Sequence, residues 1–458
     1  MSVTTGPRVV PRTAQHGPPR TGPPGSANLT AGLRRTASTT PGRLGMAMVG
    51  LVVLSLLTGV IGMLSISSRS STLDDLVSHR EPVSAAAQQI YRSLSDADAT
   101  AARAFLTSAV EPPALRARYQ TDIAQAGAAL AVAATDVSGD TQATGPLAEL
   151  ATNIPVYTGL VERASTNNAQ GFPVGSAYLR EADHLMTDTM LPAAQHLYAI
   201  DTQRLINAQD AATSFPWFAA LLAVALLVAL IFTQRYVRRR TNRVINVGLL
   251  VATIAVALAL VWSAAGLTLE SVHVGNGRAA GSAPGELLAQ ARTKALQARA
   301  KEMLTLVARG GQSYEVPFAA LTSAIGGTDG AGGLLGQVHA NSSDSTMTNE
   351  VADAITAAKS WFGLHRDVTA DNTRGDVATA VTTTLGTGGT GKPNEATAFD
   401  NVDNALGKAI SQARVDFANE TGTAQGWLTA LPIGVLVLLV LAAAGAAVGI
   451  WQRLREYR

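Results

Sequence analysis

LGMAMVGLVVLSLLTGVIGMLSI, residues 44–66, decides the fold class. It has no ionisable side chain and, as a helix, is long enough to cross a hydrocarbon core of about 30 Å, which takes roughly 20 apolar residues. It lies 43 residues into the chain, exceeds the apolar part of a secretory leader and is followed by no A-x-A site, so it reads as a retained anchor. Three further runs of this kind occupy 215–233, 244–266 and 429–450. Composition agrees: 47% apolar and 15% charged over 458 residues, with mean hydropathy +0.18, is too apolar for an ordinary soluble protein. The chain has no cysteine, which excludes disulfide frameworks, thiolate nucleophiles and cysteine-ligated metals.

Orientation follows from the basic residues, because Lys and Arg near spans stay on the cytoplasmic side. Residues 1–43 hold Arg8, Arg12, Arg20, Arg34, Arg35 and Arg43 and no acid; the linker 234–243 holds Arg235, Arg238, Arg239, Arg240 and Arg243; the tail 451–458 adds Arg453, Arg455 and Arg458 against Glu456. These segments take 14 of the 35 basic residues and one of the 33 acids, leaving the two large loops at net −11. A multi-pass cell-membrane protein with both termini cytoplasmic and loops 67–214 and 267–428 outside is expected. Trp217, Trp262, Trp427 and Trp451 fall at span ends, where indoles favour the interface. Trp361 lies elsewhere.

Residues 1–43, rich in Pro, Gly, Ser, Thr and Arg, lack hydrophobic periodicity and cannot offset ordering entropy by burial. They read as a disordered tail attracted to anionic lipid, with docking or phosphorylation for a cytoplasmic partner as the alternative. In the first loop Leu73, Leu76, Val83, Ile90, Leu94, Ala101 and Phe105 recur at helical spacing. Helices over 114–135, 147–166 and 176 onward into span two complete an expected up-down four-helix bundle. The second loop repeats the order, with amphipathic helices at 287–307 and 401–417 and glycine-rich breaks at 326–336 and 386–391.

The halves also share sequence. YTGLVERASTNNAQG (157–171) aligns without gaps on WFGLHRDVTADNTRG (361–375), pairing Gly159 with Gly363, Leu160 with Leu364, Asn168 with Asn372 and Gly171 with Gly375. The reading is an internal duplication of a span-bundle-span unit, with Trp361 the counterpart of Tyr157.

Little in the sequence carries chemistry. GTGGTGKP (386–393) meets the spacing of a phosphate-cradling loop, but Pro393 stands where a metal-binding Ser or Thr belongs and no strand precedes it. The seven histidines show no paired ligand spacing, and His184 and His196 read as surface residues. No serine-nucleophile motif occurs. No enzyme activity, cofactor, metal or nucleic-acid partner is expected. Arg103, within DADATAARAFL (96–106), suits an anionic or amino-acid ligand if it faces a bundle interior and a solvated helix face otherwise. Tyr157, Asn168, Trp361 and Asn372 are further candidate ligand or partner residues, although turn chemistry accounts for the two asparagines. Arg235, Arg238, Arg239, Arg240 and Arg243 are candidates for contact with lipid or a cytoplasmic partner. Gly445 and Gly449 form G-x-x-x-G, a packing face used either within the four spans or between copies in a homo-oligomer.

The bundles resemble four-helix sensory modules of bacterial chemoreceptors. The duplicated plan, the length and the DADATAARAFL helix are similar to actinobacterial four-span membrane proteins associated with a glutamine-binding lipoprotein and a soluble serine/threonine kinase, protein kinase G. That resemblance covers 44–458 and implies a relay from an extracytoplasmic solute-binding lipoprotein to a cytoplasmic kinase. The runner-up reading is a structural or assembly scaffold of the cell envelope. A transporter ranks third, since the spans lack ionisable residues.

Overall fold

In lipid the backbone must satisfy its own hydrogen bonds, and an uninterrupted apolar stretch does so as a helix. Even its polar side chains turn inward: the Ser55 and Thr58 hydroxyls donate to the carbonyls of Leu51 and Leu54 at 2.7 Å. A computed structural model describes residues 40–75, 81–107, 111–135, 141–213, 216–241, 246–308, 313–327, 329–342, 344–386 and 394–455. Within them the chain is all-helical, with no strand. Residues 1–39 of the expected tail 1–43, the phosphate-loop string beyond Gly386 and any helix through 76–80 lie outside the described residues, while 40–43 form the first turn of a helix.

Four helices are long and apolar enough to cross a membrane. They are α1 (Thr40–Asp75), α7 (Trp217–Thr241), α8 (Val247–Gly277) and α15 (Leu431–Arg455). α15 packs between α1 and α8, and α7 touches α1 and α8 from the other side. Phe218, Leu221, Phe232, Val261 and Ile433 point away from this cluster and stay mostly exposed, an outward apolar surface suited to lipid. Glycine sets the distance between α8 and α15. A Cβ at Gly248 would stand 2.5 Å from the Gly445 carbonyl oxygen, and one at Gly449 2.7 Å from Asn246 Oδ1. The G-x-x-x-G pair is therefore used within this chain, against α8. Asn246 completes the contact: its Nδ2 donates to the Gly449 carbonyl at 2.8 Å while its Oδ1 caps α8.

Between spans one and two lie α2 (Glu81–Thr107), α3 (Pro113–Thr135), α4 (Thr141–Ala169), α5 (Val174–Leu185), a π-turn (Met186–Met190) and α6 (Leu191–Thr213). Between spans three and four lie a π-turn (Arg278–Ser282), α9 (Ala283–Val307), α10 (Glu315–Gly326), α11 (Gly333–Asn341), α12 (Ser345–Thr373), α13 (Val377–Leu385) and α14 (Glu395–Thr429). Two connections matter for function. Span α8 continues through its π-turn into α9 as one helical run of 61 residues, and α14 passes into span α15 with only Ala430 between them. These runs lie antiparallel in contact, and Gly281 lets the π-turn reach the backbone of Phe417, 2.7 Å from where a Cβ would sit.

α4 and α12 are both 29 residues long and end alike. Gly171 and Gly375 take φ of 74° and 86°, and their N–H groups donate to the carbonyls of Asn168 and Asn372 at 3.0 and 3.1 Å. This positive φ is what Gly admits at a helix C-terminus. Tyr157 and Trp361, at matching positions, are fully buried.

α7 extends to Thr241, so most of the proposed linker 234–243 is helix, held to α8 by Gln234 Nε2, which donates to the Leu249 carbonyl at 2.8 Å. The helix over 287–307 has no solvated face at its far end: every residue from 298 to 307 is buried, because α2 of the first half covers one side and α10, α13 and α14 cover the other.

Gly248→Val forces α8 and α15 apart and should cost about 1–3 kcal/mol, the usual overpacking range. Gly50→Val, where a Cβ meets nothing within 4 Å, should leave stability unchanged. Thermal unfolding in detergent distinguishes the two.

Candidate functional site

The two halves meet where α2 lies along α9. Tyr91 Oη accepts from Gln297 Nε2 at 3.1 Å, and Arg414 of α14 donates to Gln88 Oε1 of α2 at 3.2 Å. Toward the spans the halves part around a cavity of about 550 Å³, within the range of small-molecule sites. Its walls come from α2, α6, α9 and α14, so three of the four continue toward spans. Arg92, Arg292, Lys294 and Arg414 line it, with Glu286 as the facing carboxylate and Gln88, Gln290 and Thr202 as neutral partners. Arg292 is bound to Asp403 through Nε and Nη2 at 2.6 and 2.9 Å. Burial, then the neighbouring Arg292, pull the Arg92 guanidinium below its ordinary value, the signature of cations crowded at a partly dry site.

Farther from the spans the junction is closed by buried charge. Lys301 of α9 crosses to the first half, where its Nζ donates to Asp183 Oδ1 at 2.6 Å and Thr187 Oγ1 at 3.0 Å. Asp98 lies in the same core and accepts from Tyr157 Oη at 3.1 Å. Burial pushes the Asp98 carboxyl up to about 7, with repulsion from Asp183 adding to the rise and Lys301 and Tyr157 opposing it.

Beside this lock, within the second half, is a group of buried ionisable side chains from four helices. His365 of α12 stacks on Phe318 and brings Nδ1 to 2.6 Å from Glu302 Oε1 and 3.4 Å from Glu395 Oε1. Its Nε2 faces Glu315 Oε2 at 3.1 Å. Arg299 pairs with Oε2 of Glu302, lies 3.4 Å from Oε2 of Glu395, and donates to the Thr384 carbonyl at 2.8 Å. Thr384 Oγ1 donates to Glu395 Oε2 at 2.8 Å. Burial works against a charged imidazole, but hydrogen bonds to Glu302 and Glu315, with the Glu395 carboxyl close by, prevail and carry His365 up to about 11. Glu302, Glu395 and His365 are the residues whose donor atoms converge closely enough to hold a metal ion among the described residues.

The candidates from sequence occupy other places. Tyr157 is core, bound to Asp98. Trp361 is enclosed by Phe318, Phe362 and Phe399. Asn168 donates from Nδ2 to the Phe105 carbonyl at 3.0 Å and its carbonyl, like that of Asn372, closes a helix end. Arg103 is half-buried on α2, its guanidinium lowered by burial and by Arg299. None of these five lines the cavity. Arg235, Arg238 and Arg239 are exposed at the end of α7; the Arg240 side chain and Arg243 lie outside the described residues. Sequence reasoning missed Lys301, Glu302 and Glu395. The available signal was the string RAKE (299–302) inside an otherwise apolar helix end.

Residues 72–210 match the family described as the actinobacterial sensor domain. The matched stretch takes in all of α2 to α5 and nearly all of α6, and it supports a sensing role for this sensor-like chain. No curated protein and no solved structure matches the chain.

Removing Lys301 leaves Asp183 buried without its cation, so Lys301→Met should cost about 3–5 kcal/mol in thermal unfolding, and Lys301→Met with Asp183→Leu should recover much of it. Asp98 gives a pH signature. Its folded value lies above the ordinary 3.8, so the folded state holds the extra proton and stability falls as pH rises from about 4 to about 7, then levels. Asp98→Asn has no such proton to lose. Its melting temperature should gain on the parent's across that window and keep a constant lead above it.

Proposed function

We propose that the chain is a non-enzymatic transmembrane relay. In this reading the helical regions beyond the spans lie outside the cell, both termini and the arginine-rich end of α7 lie inside, and two copies of one span-bundle-span unit face each other across the ligand site. The arginine distribution and the tryptophans at span ends support the orientation. The equal lengths and identical caps of α4 and α12 support the duplication.

The observation that carries the proposal is the cavity between the halves. It touches α9 and α14, which run into spans α8 and α15, and α6, whose last described residue stands close before span α7. A ligand there changes how the halves sit together, and helix shifts of about 1–2 Å at such packed interfaces are one established form of conformational switching. Four cationic side chains against one lining carboxylate favour a small organic anion or the anionic group of a bound partner. A solute-binding lipoprotein is a candidate outer partner and a serine/threonine kinase a candidate reader of Arg235, Arg238 and Arg239, both on the resemblance noted from sequence.

The test is thermal unfolding of the purified full chain in detergent with small carboxylates and inorganic phosphate, each against chloride at equal ionic strength. A ligand at 100 times its Kd raises stability by about 2.7 kcal/mol. At least one anion should do so for the parent and fail for Arg92→Gln with Lys294→Gln. Stabilisation that persists in the double variant, or by no anion at all, overturns the ligand site.

A further inference from the structure

We propose that Glu302, His365 and Glu395 bind one first-row divalent cation, of the Zn²⁺ or Mn²⁺ class, at the far end of the two helical runs that enter spans three and four. The geometry begins with a mismatch. Glu302 Oε1 and Glu395 Oε1 both converge on His365 Nδ1, at 2.6 and 3.4 Å, but one ring nitrogen carries at most one hydrogen. Glu302 takes it. Glu395 Oε1 is left without a donor in this geometry on a residue that is 0% exposed, so it must hold a proton or take a cation. A cation in place of that hydrogen satisfies both oxygens and the nitrogen together, since the three donor atoms already lie within 4.8 Å of one another.

The surroundings fit a ligand shell. Arg299 engages the Oε2 atoms of both carboxylates, and Thr384 Oγ1 holds Glu395 Oε2 as well, so the two Oε1 atoms are turned toward the imidazole. Glu315 faces the opposite ring nitrogen at 3.1 Å, the carboxylate-histidine support that fixes a metal-bound ring. Phe318 stacks on the ring and prevents its rotation. Charge closes too: a divalent cation and Arg299 balance Glu302, Glu395 and Glu315 around a neutral imidazole. One nitrogen and two carboxylate oxygens suit Zn²⁺ or Mn²⁺, whereas Ca²⁺ and Mg²⁺ prefer oxygen throughout.

The ligands also have mechanical meaning. Glu302 sits near the end of the run from span α8, and Glu395 is the first residue of the run into span α15. A bound cation clamps these ends to each other and to α12.

The experiment uses the full chain in detergent, stripped with chelator and titrated separately with Zn²⁺ and Mn²⁺ by calorimetry, with melting temperature as a second readout. One equivalent of at least one metal should bind and raise the melting temperature. His365→Gln and Glu395→Gln should abolish both effects, and Glu315→Gln should weaken affinity 10- to 100-fold. X-ray absorption on the Zn²⁺-loaded parent keeps the test decisive if the ligand variants misfold: one imidazole with oxygen ligands, at about 2.0–2.2 Å, is expected. Failure of the parent to bind either metal, binding unchanged in folded His365→Gln or Glu395→Gln, or a shell with no imidazole or more than one, overturns the proposal.

Discussion

The close antiparallel packing of two helical runs, α8 with α9 against α14 with α15, is the constraint on which the rest of the molecule depends. The two runs stay in contact both within the apolar stretches and beyond them, so whatever joins them far from the apolar helices is coupled to what joins them within. Glycine makes the contact possible at both levels: Gly248, Gly445 and Gly449 inside the span cluster, Gly281 beyond it. In lipid there is no hydrophobic drive between helices, and backbone proximity of this kind supplies the dispersion contacts that replace it. Just past the apolar stretches Arg69 of α1 pairs with Glu270 of α8 at 2.9 Å, so the first half is tied to the same pair by charge.

Around this spine the protein puts its costly groups where the halves meet. Lys301, Asp183 and Asp98 are buried at the junction, and Arg299, Glu302, His365 and Glu395 just behind it. Buried ion pairs add little net stability compared with apolar packing, but breaking one is severe. Across the junction their effect is to make the docked arrangement specific: displacing the first half by one turn along α9 would separate Lys301 from Asp183 and Thr187 and leave buried charge unpaired. The cavity, by contrast, is lined by half-exposed polar groups that tolerate rearrangement, so the junction combines a rigid far end with an adaptable near end.

Hydropathy alone located the four helices long and apolar enough to cross a membrane, because such a helix is an uninterrupted apolar run of about 20 residues. The helix ends marked by Gly171 and Gly375 were legible for a similar reason, since each needs a residue that accepts positive φ. The junction was not legible. The helix over 287–307 reads as amphipathic, and nothing in its spacing shows that the string RAKE is interior: Lys301 is buried against the first half, and Arg299 and Glu302 against α12, α13 and α14. Glu302, His365 and Glu395 come from three helices far apart in sequence, so no spacing rule joins them. Tyr157 and Trp361 stood out as conspicuous aromatics in the aligned segments, but their size serves the core. The sensor-domain match spans only the first half and says nothing of the second, where most of the buried charge lies.

The two π-turns give the halves different phases. Such a turn is an α-helix carrying one surplus residue, and each residue advances the helix face by about 100°. In the first half the extra residue, at Met186–Met190, lies between α5 and α6, ahead of apolar helix α7; in the second, at Arg278–Ser282, it follows directly on apolar helix α8. The stripe of α8 that meets lipid and the stripe of α9 that meets α2 are thus set by separate stretches of sequence. The two halves can in this way present unlike surfaces to each other, which is what a paired, non-identical junction requires.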